Sequence, residues 1–301
     1  METIGIKQDI QKLQMLLGPK LYSNKMSFIC EVAQNGTDIH RAMGVKRPIV
    51  IGTKRIGSDI VYFQRDYGSG LSKEDFVKYL CTLLESSKSQ VKSGEENESM
   101  DQFGVGKIAV SAYSDRWSYT VYKDGQKFQA NLFYTNVVNY EMGEWEPTDE
   151  PNGVYFEVPI RTNYYIFKQE ALNKLAYFED IQFDFYDTPL MDFTINRHDL
   201  FQISTLSQRK EMHICLDQYS YDIPWNEIGM GRISENVAIR FKTNELSCNL
   251  TREELQLDPA AIKLIKERLL EVIEYFASQA KSQYIEMEFD TIPKYLSLIH
   301  I

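Results

Sequence analysis

Three short blocks, rich in acidic, amide and glycine residues, occur in a fixed order and restrict the folds open to this chain. Residues 31–38 (Glu-Val-Ala-Gln-Asn-Gly-Thr-Asp) lie in a predicted helix, and residues 66–70 (Asp-Tyr-Gly-Ser-Gly) follow an apolar strand. Residues 102–106 (Gln-Phe-Gly-Val-Gly) precede another apolar segment. Each block alone is a weak signal. Helical and strand-like patterns alternate around all three.

The length and composition of the chain limit the number of its domains and the partners it can bind. The 301 residues, 43% of them hydrophobic, suffice for one large or two ordinary domains. The 43 Asp and Glu residues outnumber the 33 Lys and Arg residues, and the net charge is -10. This acidity speaks against a broad surface that follows phosphates, so we expect no nucleic-acid partner. Four scattered cysteines without a Cys-x-x-Cys pair disfavour zinc and are typical of a reducing compartment: Cys30, Cys81, Cys215 and Cys248.

The hydropathy pattern predicts a soluble protein. No apolar run approaches the roughly 18 residues of a membrane span. The start, Met-Glu-Thr-Ile-Gly, lacks the basic-then-apolar order of a signal peptide. We therefore expect a cytoplasmic location, in the host cytoplasm if the protein is encoded by a phage.

Local patterns predict the order of the secondary structure. Helical spacing and capping signals predict helices at 8–17, 25–43, 73–85, 168–177 and 259–279. Apolar β-type runs predict strands at 48–53, 59–66, 118–122, 128–134 and 154–160. The polar stretch 86–100 has almost no aliphatic anchor and is expected to be mobile, whereas 143–152 has the composition of a loop.

The first block places three oxygen-bearing side chains on one helix face. Glu31, Asn35 and Asp38 are related as i, i+4 and i+7. Mg²⁺ prefers oxygen ligands shared with phosphates and water, and the Asn35 amide adds no repelling charge, so Asn35 suits a metal ligand. Glu31 suits a general base that orients and deprotonates an attacking water. An ordinary solvated helix face is compatible with the same triplet.

The second block has the features of a base-binding turn. Gly68 and Gly70 allow the backbone to approach a ligand and to adopt positive φ. A buried carboxylate at the strand end, Asp66, can accept a hydrogen bond from an exocyclic amine such as that of adenine. A plain strand–turn–helix connection explains the same pattern.

The third block has the features of a phosphate-binding turn. Gly104 and Gly106 open a predicted helix, where free backbone N–H groups attract an anion. The preceding polar segment suits a lid that responds to phosphate. Lys107 fits either an additional phosphate contact or a solvated surface lysine.

Together the blocks resemble the GHKL ATPases, the group of DNA gyrase, MutL, histidine kinases and the heat-shock-90 chaperones. Residues 21–25 (Leu-Tyr-Ser-Asn-Lys) resemble the segment that leads into the site helix of the chaperones. Residues 102–106 and the following Ser111-Ala-Tyr113 resemble the same family after its lid. Residues 249–256 (Asn-Leu-Thr-Arg-Glu-Glu-Leu-Gln) resemble the catalytic loop of the chaperone middle domain.

The rIIA proteins of phages are similar to this chain as well. The similarity includes the Leu-Tyr-x-Asn-Lys, Arg-Asp-x-Gly-x-Gly and Arg-Glu-x-Leu patterns. It also includes residues 141–143 (Glu-Met-Gly) ahead of a strand with Gly153, and the Ser-Ser-Lys at 86–88. We take rIIA as the nearer match, over about residues 20–280.

The resemblance implies a role for each residue in an ATP site. Glu31 would be the general base and Asn35 the Mg²⁺ ligand. Arg252 would reach the γ-phosphate from a second domain, where its planar guanidinium distinguishes ATP from ADP; a surface arginine at a helix start is the alternative. The other nucleotide contacts would come from Asp38 beside the metal and phosphates, Asp66 at adenine, and the backbone around Gly68, Gly70, Gly104, Val105, Gly106 and Lys107.

The resemblance also implies an architecture of the α+β class. A GHKL α/β two-layer sandwich would occupy residues 1–165, with a lid at about 83–103. A transducer domain of the ribosomal-protein S-five domain-2 type would follow at 166–285, and 286–301 would be a linker or truncated tail. Two features depart from the chaperone pattern: Val154 follows Gly153 where the chaperones have a Thr, and the short lid contains Gly94 alone.

These features predict a Mg²⁺-dependent ATPase that acts as a conformational switch. ATP would close the lid, bring Arg252 to the γ-phosphate and favour a homodimer. The first interpretation is an rIIA-like factor acting through a protein partner, and the alternative is a chaperone with client proteins. The acidic charge disfavours a DNA-linked ATPase of the gyrase or MutL kind. A module that binds ATP without hydrolysing it is a further alternative. The absence of a His-bearing helix before Glu31 disfavours a histidine kinase. We expect His40 to be structural.

Overall fold

The structure is a computed structural model that describes residues 21–81, 106–135 and 137–286, without the side chains of Lys107 and 281–286. The predicted helix at 8–17, the lid at 83–103 and the tail from 287 lie outside the described residues. So do the backbone of Gly104 and that of Val105. The described residues form two compact units. One contains those up to Asp192 together with Asn249–Glu253, and the other contains Phe193–Cys248 and those from Glu254 onward.

The described helices of the first unit are α1 (Ser27–Met43), α2 (Lys73–Phe76), α3 (Ala109–Tyr113) and α4 (Tyr164–Lys174). Helix α1 ends, as predicted, at Gly44, which has a left-handed φ of 65°. The predicted cap of α2 is confirmed, because the Ser72 hydroxyl accepts a hydrogen bond from the Asp75 N–H at 3.0 Å. Helix α2 continues as a π-helix over Val77–Cys81, and a 3₁₀ turn over Gly106–Ile108 leads into α3.

The described part of the first unit contains a nine-stranded sheet. Its strands are β1 (Ile49–Ile56), β2 (Asp59–Arg65), β3 (Arg116–Lys123), β4 (Gln126–Tyr134), β5 (Val138–Met142), β6 (Glu146–Pro147), β7 (Gly153–Pro159), β8 (Ile181–Phe185) and β9 (Thr188–Met191). They are ordered β5-β4-β3-β7-β2-β1-β8-β9, and β6 pairs with β4. Strands β1 and β8 pair in parallel, and the other described pairings are antiparallel.

The helices pack on one face of this sheet through aromatic rings. The ring of Phe28 on α1 lies 5.7 Å from that of Tyr62 and 6.2 Å from that of Phe156, between centroids. Phe167 on α4 lies 5.5 Å from Tyr62. Tyr119 packs beside Phe156 at 5.2 Å. The result is a mixed α+β unit in which a large sheet carries helices, compatible with the predicted sandwich.

The other face of the sheet carries a groove of about 660 Å³. Ser118, Asn131 and Glu157 line it and are cross-strand partners. They alternate with Tyr119 and Phe156, so they point away from the helices. None of the described site residues predicted above lines this groove.

The first unit extends beyond the boundary predicted near residue 165. Strand β8 pairs with β1 in the register Ile49–Ile181 and Ile51–Phe183, which keeps residues up to Asp192 in this unit. Helix α4 also buries Phe167. The residues up to Asp192 therefore belong to this unit, while the assignment of a nucleotide domain and a transducer domain stays a prediction. A parallel pairing between distant segments leaves no local signal in the sequence.

The second unit combines a smaller sheet with helices α5 (Trp225–Ile228) and α6 (Pro259–Glu286). Its described strands are β10 (Ile195–Arg197), β11 (Phe201–Ser204), β12 (His213–Leu216), β13 (Tyr219–Asp222) and β14 (Ala238–Phe241), in the order β10-β11-β14-β12-β13. The predicted long helix is confirmed. Of its apolar positions, Ile265, Leu269 and Val272 are fully buried, whereas Phe276 is 37% exposed. Among the described residues, none of the helices has the length and apolar composition that a bilayer crossing requires.

Candidate functional site

Glu31 is the point at which the first and third blocks meet. It lies on α1, and only 5% of its surface is exposed. A β-carbon at Gly106 would lie 2.1 Å from Oε2 of Glu31, closer than any side chain allows. A glycine at 106 therefore lets the 3₁₀ turn approach the carboxylate.

Arg252 lies against the same carboxylate. Its Nη1 is 3.7 Å from Oε2 of Glu31, and the two side chains are almost completely buried. Arg252 has a left-handed φ of 55°. It belongs to the segment Asn249–Glu253, which is part of the first compact unit, whereas the resemblance implied that Arg252 would reach the site from a second domain. The arrangement places a guanidinium and a carboxylate together beside a glycine turn.

Asn35 and Asp38 follow Glu31 along α1 in different environments. Asn35 is exposed, so its amide oxygen is open to a ligand. Oδ1 of Asp38 accepts a hydrogen bond from Nε2 of Gln34 at 2.7 Å and lies 3.5 Å from Nη1 of Arg41. An open neutral oxygen one turn beyond a buried carboxylate fits the chemistry of a Mg²⁺ ligand that shares the ion with phosphates and water.

Asp66 is a buried carboxylate with one oxygen in use. Its Oδ1 accepts hydrogen bonds from the N–H of Gly68 at 2.9 Å and of Val154 at 3.2 Å. Burial raises the pKa of Asp66 to about 6, although these two hydrogen bonds and Arg65 act in the opposite direction. Its Oδ2 receives no hydrogen bond from the described residues. An acceptor oxygen of this kind, on a residue that is otherwise buried, is suited to a donor on a ligand.

The glycines of the second block also meet packing requirements. A β-carbon at Gly68 would lie 2.8 Å from Cγ1 of Ile39 on α1. Gly70 has a left-handed φ of 67°, and its β-carbon would lie 2.1 Å from the carbonyl oxygen of Tyr122 on β3. Contact with the protein therefore explains both glycines, and their contact with a nucleotide stays a prediction.

Two polar residues hold this region together. His40 is expected from the sequence to be structural, and Gln64 carries no sequence signal. Nε2 of His40 accepts a hydrogen bond from the N–H of Tyr67 at 2.7 Å. Burial lowers the pKa of His40, so the ring is neutral at pH 7 and keeps this acceptor. Nε2 of Gln64 donates to the carbonyl of Val32 at 2.7 Å, which ties β2 to α1. Neither contact has a sequence signal, because each joins segments that meet only in the fold.

Gly153 determines how closely β7 approaches Asp66. Its φ is 135°, and a β-carbon there would lie 2.2 Å from the carbonyl oxygen of Asp66. Val154 stands where the chaperones have a Thr and therefore lacks a hydroxyl. The structure gives Val154 another contribution, since its backbone N–H donates to Asp66.

No protein-family model matches the chain. It is similar to the chaperone protein HtpG of Aliivibrio fischeri, with 27% identity over 125 residues, 38% of this chain and 20% of the relative. It is also similar to the chaperone protein HtpG of Escherichia coli K12, with 24% identity over 177 residues, 53% of this chain and 28% of the relative. The chain thus spans less than a third of the length of these relatives.

The matches support a distant relationship to the heat-shock-90 chaperones of the GHKL group. They do not support the predicted nearer match to rIIA. The order of the two predicted readings is therefore reversed, and the chaperone-like alternative comes first.

Proposed function

We propose that this chain binds ATP with Mg²⁺ and hydrolyses it as a chaperone-like conformational switch of the heat-shock-90 kind. One observation carries the proposal: buried Glu31 lies beside the glycine turn at Gly106, with Nη1 of Arg252 at 3.7 Å. Such a group of base, backbone and guanidinium suits water attack on a terminal phosphate.

The residues divide the chemistry between them. The Glu31 carboxylate orients the attacking water and takes its proton as the water oxygen bonds to the γ-phosphorus. The bond between the γ-phosphorus and the bridging oxygen breaks in the same displacement, and ADP leaves with that oxygen. Arg252 binds the γ-phosphate oxygens, whose charge is redistributed in the transition state. Its five N–H donors allow contact with phosphate and with Glu31 together. Burial of both side chains strengthens these interactions because water screens them poorly.

Asp66 binds the other end of the nucleotide. Its Oδ1 is held by two backbone N–H groups, which leaves Oδ2 to accept a hydrogen bond from the adenine amine. Gly68 and Gly70 bring backbone close to the base. A β-carbon at Gly36 on α1 would lie 3.5 Å from Cβ of Asp66, so Asp66 lies beside the helix that carries Glu31 and Asn35.

Asn35 would hold Mg²⁺, and Asp38 would support the same region. The exposed amide oxygen of Asn35 is a neutral hard ligand, as an ion bound to a polyphosphate requires. Bound Mg²⁺ supplies neutralisation of phosphate charge. The backbone at Gly104, Val105 and Gly106, with Lys107, would contact the phosphates.

Replacement of Glu31 tests the hydrolytic function. Glu31→Ala is expected to keep ATP binding and to abolish phosphate release, and Glu170→Gln, an exposed carboxylate on α4, serves as the matched control. Turnover by Glu31→Ala at the wild-type rate contradicts the base assignment. A wild-type protein that binds ATP without turnover would instead be a holding module.

Calorimetry tests the metal ligand. Asn35→Ala should weaken binding of Mg²⁺-ATP and change binding of metal-free ATP less. Equal affinities of wild type and variant for Mg²⁺-ATP remove Asn35 from the site.

The conformational part of the proposal follows from the same site. The first unit would be a GHKL sandwich with a lid at 83–103, and the second a transducer of the ribosomal-protein S-five type. A ligand shifts a conformational equilibrium only by its preference for one state. ATP should therefore promote homodimers and engagement of client proteins. Sedimentation with a non-hydrolysable ATP analogue, compared with ADP, tests the dimer.

An rIIA-like factor acting through a protein partner is the second candidate. Its basis is the sequence similarity at 141–143 and in the Arg-Asp-x-Gly-x-Gly pattern. Suppression of client aggregation distinguishes the chaperone from this factor. Salt-dependent binding to DNA would instead indicate a DNA-linked ATPase of the gyrase or MutL kind, which the acidic charge disfavours.

A further inference from the structure

Glu253, the residue after Arg252, has a dense set of contacts. Its Oε2 accepts hydrogen bonds from the N–H and the hydroxyl of Ser23, each at 2.9 Å. Its Oε1 accepts from the N–H of Asn24 at 2.8 Å and from the hydroxyl of Ser27 at 2.7 Å. The Thr251 hydroxyl also lies 3.5 Å from Oε2. Both carboxylate oxygens are therefore used, by two backbone and three side-chain donors.

Apart from Thr251, these donors belong to the start of the helix that carries Glu31. Ser27 is the first residue of α1, and Glu31 lies one turn further on the same face. The Asn24 side chain accepts from the N–H of Met26 at 2.9 Å, which keeps the segment before the helix in place. A carboxylate is also electrostatically favoured at this end of a helix.

The loop around Glu253 is held from within. Oδ1 of Asn249 accepts hydrogen bonds from the N–H of Glu253 at 3.0 Å and from the hydroxyl of Thr251 at 3.1 Å. The carbonyl of Asn249 accepts from the N–H of Arg252 at 3.0 Å. Arg252 therefore sits in a tight turn whose next residue is attached to α1, and the turn leaves its backbone little freedom.

The electrostatics of Glu253 agree with this arrangement. Burial alone would raise its pKa, but the hydrogen bonds from Ser27, Asn24 and Ser23 outweigh burial and keep the pKa below its ordinary value. Glu253 is thus ionised at neutral pH, and charge-assisted hydrogen bonds of this kind are the stronger ones.

We propose that Glu253 is a positioning residue, which clamps the loop Asn249–Glu253 to the start of α1 and so sets the guanidinium of Arg252 at Glu31. The role in turnover rests on the ATPase function proposed above. The clamp itself does not, since it exists between residues of the protein. Glu253 touches neither phosphate nor base in this proposal and acts through Arg252.

Hydrogen exchange tests the clamp without a nucleotide. The Ser23 and Asn24 amides should exchange slowly in the wild type and faster in Glu253→Ala, with Glu253→Gln between them. Glu170→Ala, which removes an exposed carboxylate on α4, is the control and should keep wild-type rates. Ser27→Ala removes a single bond to Glu253 and gives a milder case if Glu253→Ala does not fold. Unchanged exchange in Glu253→Ala overturns the clamp.

Kinetics and affinity test the positioning. A misplaced Arg252 should lower kcat about 100-fold while KM for ATP changes less. The preference for ATP over ADP should fall because the guanidinium no longer meets the γ-phosphate, while ADP affinity stays the same. If the Ser23 and Asn24 amides of Glu253→Ala exchange faster while its kcat and its preference for ATP stay at wild-type values, Glu253 is only structural and the proposal is overturned. A wild type without turnover defeats the proposed ATPase function, and the exchange and ATP/ADP measurements still decide the role of Glu253.

Discussion

Arg252 and Glu31 form a buried ion pair, with 3.7 Å between Nη1 and Oε2, although they are far apart in the sequence. The pair belongs to the first compact unit through the segment Asn249–Glu253. Charges buried in this way are costly when one partner is removed, because the other is left without compensation. The pair therefore links the candidate chemistry to the stability of the fold.

Removing one partner of this pair should destabilise the protein more than removing both. Arg252→Met is expected to cost about 3 kcal/mol in the free energy of unfolding, because Glu31 stays charged and buried. The double variant Glu31→Gln/Arg252→Met should recover part of this loss, and urea unfolding measures the difference. Arg161→Met removes an exposed arginine paired with Asp115 and should change stability by less than about 1 kcal/mol. Additive single losses would show that the two charges do not interact.

The raised pKa of Asp66 predicts how binding depends on pH. Only the ionised carboxylate offers two acceptor oxygens, so affinity for an adenine nucleotide should fall as pH drops below about 6. The decrease should approach about tenfold per pH unit well below the pKa. Calorimetry across this range measures it, and Asp66→Asn should lose this component of the pH dependence. An identical profile in the variant assigns the titration to another group.

The same pKa predicts a dependence of stability on pH in the absence of ligand. The folded pKa, about 6, lies above the ordinary value of 3.8, so the folded state binds a proton more tightly than the unfolded state. The contribution of Asp66 to stability is therefore greatest below pH 4 and decreases as pH rises to about 6. The full change is about 3 kcal/mol. Denaturant unfolding at these pH values should show a smaller decrease in Asp66→Asn.

A methyl group at position 106 should displace the candidate base. In Gly106→Ala the new β-carbon would meet Oε2 of Glu31 at 2.1 Å, so the carboxylate or the turn must move. We expect kcat to fall about 100-fold, as small misplacements of catalytic groups do. Gly231→Ala is the control, because a β-carbon there meets nothing within 4 Å. Wild-type turnover by Gly106→Ala would show that the turn at Gly106 does not position Glu31 for hydrolysis.

His40 should contribute through its acceptor nitrogen. His40→Leu leaves the N–H of Tyr67 without the bond to Nε2 and should cost about 1–3 kcal/mol of stability. Affinity for ADP should fall as well, because Tyr67 lies between Asp66 and Gly68. His40→Gln, which offers a side-chain oxygen, should recover part of both losses in thermal unfolding and calorimetry. Equal behaviour of the two variants assigns the effect to packing.

Local signals predicted the parts of the fold that depend on neighbouring residues. The serine cap at Ser72, the glycine stop at Gly44 and the long helix from Pro259 lie where local patterns predict them. The common helix face of Glu31, Asn35 and Asp38 follows from helical spacing alone. Helical spacing does not predict how exposed each of these three side chains is, because exposure depends on which segments pack against α1.

Contacts between distant segments could not be predicted from local sequence patterns. The parallel pairing of β8 with β1 extended the first unit to Asp192, and no local pattern marks it. The bonds of Glu253 to Ser23 and of Val154 to Asp66 likewise arise only after the chain has folded. The family resemblance drew on Arg252, whose role at a phosphate stays a prediction. Its burial against Glu31 excludes the alternative of a surface arginine.

The single open oxygen of Asp66 has a consequence for the choice of purine. Ionised, it accepts hydrogen bonds and donates none, so it favours the amine of adenine and opposes the carbonyl oxygen that guanine carries at the same ring position. Once protonated, the same carboxyl becomes a donor, which removes that opposition. Discrimination between ATP and GTP should therefore be sharp at neutral pH and should diminish in acid.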